Sequence, residues 1–77
     1  MPARIVIDPD IQHGKPVLKG TRVPIARVLA GFASGMTKEE LFREYEINEE
    51  DFRAVLSYAA ELVESEQFYP LPNRRSA

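Results

Sequence analysis

Between Pro24 and Gly35 the apolar residues fall at Ile25, Val28, Leu29, Phe32 and Ala33, a spacing that winds one stripe along a helix. Pro24 suits the first position of that helix, where an amide hydrogen has no partner, and Gly35 suits its end. Thr37 followed by Glu40 reads as a capping box that opens a short second helix, with Leu41, Phe42 and Tyr45 on its apolar side. Asn48 caps a third helix, and Glu49, Glu50 and Asp51 fill its first turn, where the helix dipole favours negative charge. Phe52, Val55, Leu56, Ala59, Leu62 and Val63 then form the best-defined amphipathic stripe in the chain.

Ahead of the helices the pattern changes. Arg4 to Asp8 is β-branched at Ile5, Val6 and Ile7 and is closed by Pro9, which predicts a short strand. Pro16, Gly20 and Pro24 leave room only for brief extended pieces joined by turns, with Gly14 and Gly20 serving backbone geometry. So brief a strand is an edge in need of a partner, and its copy in a second subunit is the expected one. The predicted fold is mostly α: a short N-terminal β region followed by a tri-helical, homeodomain-like helix-turn-helix bundle, dimeric in use. Residues 1–66 make one domain, with the strand and turn region over 1–23. Residues 67–77 lack periodicity and are expected to be a flexible arm.

Composition narrows the classes. A 77-residue chain buries a small core, so a second copy or a partner protein is expected to complete it. With no cysteine there is neither a disulfide framework nor a thiolate metal cage. No apolar run approaches the roughly 20 residues needed to cross a bilayer, and the start carries no signal-peptide pattern, so a soluble cytoplasmic protein is expected. The net charge of -2 conceals an asymmetry. Up to Met36, Arg4, Lys15, Lys19, Arg22 and Arg27 outnumber Asp8 and Asp10, a net +3, whereas Thr37 onward carries a net -5. Any phosphate contact belongs to the first half.

The stretch HGKPVLKGTRVPI, His13 to Ile25, concentrates the candidate chemistry. A phosphate loop of the Walker type needs amides after its Gly-Lys, and Pro16 follows Gly14-Lys15 here, so that reading fails. Asp8, Asp10 and His13 are metal-ligand types, yet Asp-Pro-Asp is ordinary turn chemistry and no further His or Cys completes a shell. The other carboxylates lie at helix starts and on exposed faces, and no nucleophile has a histidine base in a recognisable arrangement. Neither an enzyme nor a cofactor is expected.

What remains is a turn, and its residues are distinctive. GKPVLKGTRVPI, with Gly35, the Thr37-Lys38-Glu39-Glu40-Leu41 helix start, Tyr45, and Glu50-Asp51-Phe52 through Leu56, Tyr58 and Ala59, resembles the bacterial domain-of-unknown-function family 433. The resemblance covers roughly Ile5 to Ala60. It departs at His13, where a glycine is common, and at Glu46, where a proline often precedes the third helix. It implies a VapB-type antitoxin-like protein: a helix-turn-helix repressor of operator DNA that also neutralises a PIN-like ribonuclease toxin.

On the residues themselves, Arg4, Lys15, Lys19, Arg22, Arg27 and Lys38 are the DNA-contact candidates. The plainer reading leaves the lysines solvated and has Arg22 tie the loop to helix carbonyls. Thr37 serves as a cap, and Phe32, Phe42, Tyr45, Phe52 and Tyr58 belong to the core rather than to a base-stacking platform. Phe68, Tyr69, Leu71, Arg74 and Arg75 are the candidate toxin contacts, an apolar, proline-stiffened arm ending in two guanidiniums; the alternative is a disordered tail. Standard helix-turn-helix docking sets the start of the last helix against base edges. Glu49, Glu50 and Asp51 there would repel phosphate. The rival function is a protein-interaction scaffold that keeps the outline and binds no DNA.

Overall fold

A computed structural model describes residues 4–65. Two short strands, β1 (Ile5–Val6) and β2 (Val17–Leu18), precede three helices, α1 (Ile25–Ala33), α2 (Lys38–Tyr45) and α3 (Glu49–Ser65). β1 and β2 pair antiparallel, Ile5 opposite Leu18 and Val6 opposite Val17. The strand expected over Arg4 to Asp8 is thus shorter than its β-branched run, and β2 of the same chain covers one of its edges. The turns make this possible. The Leu18 amide donates to the Val23 carbonyl at 2.9 Å, the Arg22 amide returns to the Leu18 carbonyl at 2.7 Å, and Val17 bridges Pro24. β2 lies between β1 and the entry to α1, which is why both of its consecutive residues are buried.

Pro24 stands at the N-cap of α1, one position before the first helical residue. The helix ends in a Schellman motif: the Met36 amide donates to the Gly31 carbonyl at 3.0 Å and the Gly35 amide to the Phe32 carbonyl at 3.1 Å, with Gly35 at φ +111°. The capping box at α2 is complete. The Thr37 hydroxyl accepts from the Glu40 amide at 3.1 Å and the Glu40 carboxylate accepts from the Thr37 amide at 2.8 Å. Asn48 and Asp51 exchange the same pair of bonds at α3, at 2.8 and 3.0 Å. Between α2 and α3 the chain turns at Glu46 in the left-handed conformation, φ +55°, and Ile47 plugs the turn into the core. A proline, confined to φ near −65°, cannot take that position.

Ile5 and Leu18 from the strands, Ile25 and Val28 from α1, Leu41 from α2, Ile47 from the turn, and Phe52, Ala54 and Val55 from α3 make one core. Phe52 is its aromatic hub, meeting the rings of Phe32 and Phe42 edge-on at 5.1 and 6.0 Å. Only the first part of the α3 stripe is used. Leu56, Leu62 and Val63, expected in the core, are exposed, although Tyr58 between them packs against it, and Phe32 at the seam is half exposed. Among the described residues no helix is long and apolar enough to cross a membrane. The arm expected from residue 67, with Phe68, Tyr69, Leu71, Arg74 and Arg75, lies outside the described residues.

Candidate functional site

Charges at the start of α3 dictate what that helix can meet. Capping places Glu49, Glu50 and Asp51 on the first turn, and the fold brings cations to them from two other elements. Arg4, just before β1, donates one guanidinium nitrogen to Asp51 at 2.8 Å and another to Glu50 at 2.6 Å. Lys38, at the start of α2, reaches Glu49 at 3.3 Å, and Arg53 reaches the same carboxylate from one turn further along α3 at 3.1 Å. The hydrogen bond from Arg53, and then that from Lys38, hold the Glu49 carboxyl below its usual range. Two residues expected to contact DNA, Arg4 and Lys38, are therefore engaged with the carboxylates of α3. The pairing spans 46 and 47 positions in the Arg4 case, which no local pattern signals.

The other four candidates are differently placed. Among the described residues Lys15, Lys19, Arg22 and Arg27 form no ion pair, and all four are exposed. The fold gathers them two by two. Lys19 and Arg22 line a hollow of about 240 Å³ whose floor includes Val6, Ile11 and Leu18. Lys15 and Arg27 line a second, of about 270 Å³, with Gln12, Pro24 and Ala26. Ile11 borders one and Gln12 the other, consecutive residues of the turn that follows β1. Cations held close together without carboxylates are an anion-binding arrangement.

Backbone geometry holds this surface in place. Gln12, His13 and Gly14 run consecutively at φ +51°, +57° and +82°, a left-handed turn closed by bonds from the Gly14 amide to the Ile11 carbonyl and from the Lys15 amide to the Gln12 carbonyl. His13, where the resembling family commonly has glycine, thus occupies a conformation that glycine takes without strain. Arg22 also sits at φ +60°. Its backbone amide, not its guanidinium, ties the loop, contrary to the expected bond from its side chain to helix carbonyls. Of the left-handed residues Gln12, His13, Gly14 and Arg22, only the glycine carried a sequence signal.

Asp8 is occupied with the turn itself, accepting from the Asp10 amide at 2.8 Å while its carbonyl accepts from Ile11. Among the described residues no three His, Cys, Asp or Glu side chains come together as metal ligands. Thr37 is a cap, as its spacing from Glu40 predicts.

Compared with known proteins, the chain matches the model of a family described as protein of unknown function, DUF433, over residues 5–59. No curated protein and no solved structure matches it. The matched span runs from β1 through the buried part of α3 and includes both hollows and the ion pairs of Glu49. The chain belongs to the DUF433 family.

Proposed function

We propose that this chain is an antitoxin-like protein that binds operator DNA through the Lys15, Lys19, Arg22 and Arg27 surface and a PIN-like toxin through residues 67–77. The observation that carries the DNA half is the division of cations: those near α3 are paired with its carboxylates, whereas four on the loop and α1 have no ion-pair partner among the described residues. Phosphates are met from the loop side, and the start of α3 stays away from base edges. The toxin half rests on the family resemblance and on the apolar and basic residues Phe68, Tyr69, Leu71, Arg74 and Arg75.

A second reading, a protein-interaction scaffold that binds no DNA, is favoured by one observation: the position that reads bases in standard docking carries three carboxylates. Binding to duplex DNA from its own promoter, measured by fluorescence anisotropy over a range of salt, separates the two. Phosphate contact makes log affinity fall linearly with log salt, and changing Lys15, Lys19, Arg22 and Arg27 to alanine flattens that slope by about 0.9 for each phosphate no longer neutralised. No binding at low salt, or an unchanged slope, selects the scaffold. Co-expression with a tagged product of the neighbouring gene tests the toxin half. Retention that disappears on removing residues 67–77 supports it, and no retention refutes it.

A further inference from the structure

α3 carries a second apolar stripe that the bundle does not use. Leu56, Ala60 and Val63 follow one another at the spacing of a single helix face, beside the buried face of Phe52 and Val55. Val63 is 73% exposed and Leu56 41%, and Phe32, edge-on to Phe52, continues the patch across the seam with α1. Ala59 and Ala60 lie midway along the stripe and keep the helix slim there. Arg53, which also donates to Glu49 of its own helix at 3.1 Å with its side chain largely exposed, and Glu64 stand on the polar flank at its two ends.

This arrangement is self-complementary. A twofold axis passing between Ala59 and Ala60 sets Leu56 of one antiparallel helix beside Val63 of the other. It brings Arg53 to within a turn, about 5.4 Å along the axis, of the second copy's Glu64, and repeats both contacts by symmetry. A parallel pairing offers no such charge match, since it puts Arg53 of both copies at one end of the seam and Glu64 of both at the other. We propose that the exposed stripe of α3 is the homodimer interface of this protein, its occupant the same stripe of a second copy running antiparallel. One edge of the N-terminal strand, the expected site of dimerisation, is already covered by β2.

The test is the mass of the full chain in solution by sedimentation equilibrium, with circular dichroism confirming the fold of each variant. Wild type is expected at twice the chain mass. Val63→Glu, at an exposed position, and Arg53→Glu are expected as folded monomers. Arg53→Glu combined with Glu64→Arg restores the complementary ends and is expected to return the dimer. A monomeric wild type overturns the proposal and leaves the stripe to residues 66–77 or to another protein. A dimer that survives Val63→Glu also overturns it, and failure of the double charge reversal to rescue overturns the antiparallel arrangement.

Discussion

Replacing Arg4 by alanine separates cations that hold the fold from cations that face outward. Arg4 makes two charge-assisted bonds, to Asp51 at 2.8 Å and to Glu50 at 2.6 Å, joining the start of the sheet to the start of α3. The two are unequal. The Glu50 side chain is 73% exposed, so its bond is screened and contributes little, whereas the Asp51 side chain is 14% exposed and also takes part in the cap. Taking an exposed pair at a few tenths of a kcal/mol and a partly sheltered charge-assisted bond at somewhat under its usual 1.5, the cost of the substitution is about 1 kcal/mol. For a domain this size that lowers Tm by roughly 4–8 °C. The drop should shrink as salt is raised toward 1 M, where the screening length falls to about 3 Å. Thermal unfolding followed by circular dichroism at low and high salt measures it, alongside the salt slope of DNA binding. Arg4→Ala should lower Tm and leave the slope intact; the Lys15, Lys19, Arg22 and Arg27 alanine variant should do the reverse. An unchanged Tm, or a slope that flattens with Arg4, refutes the division of labour.

Other consequences follow from local geometry. Glu46→Gly relieves a left-handed C-cap at φ +55° and should raise stability by about 0.5–1 kcal/mol in chemical denaturation, since glycine meets no Cβ penalty there. Gly31→Val should lower it by about 1–3 kcal/mol, because even a Cβ at Gly31 lies 3.0 Å from both Leu41 Cδ2 and Met36 Sδ. Leu41→Ala, at a fully buried side chain, should cost about 2–5 kcal/mol. Arg53 and Lys38 lower the pKa of Glu49 on folding, so its stabilising contribution is present above the unfolded value and disappears as pH falls through the folded one. A carboxyl NMR titration should place the Glu49 midpoint below the usual glutamate value of about 4.3, and Arg53→Ala should move it upward.

The helices are legible in the sequence because their signals are local. The capping box at Thr37 and Glu40, the Asn48 cap and Gly35 each act within four residues, and the 3.6-residue stripes place Ile25, Val28, Leu41, Phe52 and Val55 in the core correctly. The N-terminal region is less legible because its order comes from contacts distant in sequence. A two-residue β2 has too few positions to show periodicity, so the pairing with β1 and the left-handed turn at Gln12 and His13 cannot be read from either segment alone. The same limit hides the reach of Arg4 to Glu50 and Asp51. Charge asymmetry locates the basic half but does not tell Arg4, which is paired, from Lys15, Lys19, Arg22 and Arg27. Periodicity likewise marks the apolar residues of α3 without showing that the bundle leaves Leu56, Leu62 and Val63 exposed.

The most direct test of where an anionic partner docks is an amide chemical-shift titration of the isotopically labelled full chain with promoter duplex at low salt. Shifts centred on Lys15, Lys19, Arg22 and Arg27, with Glu49 to Asp51 unmoved, are predicted. Shifts centred on Glu49 to Asp51, with the loop and the start of α1 silent, would contradict the account.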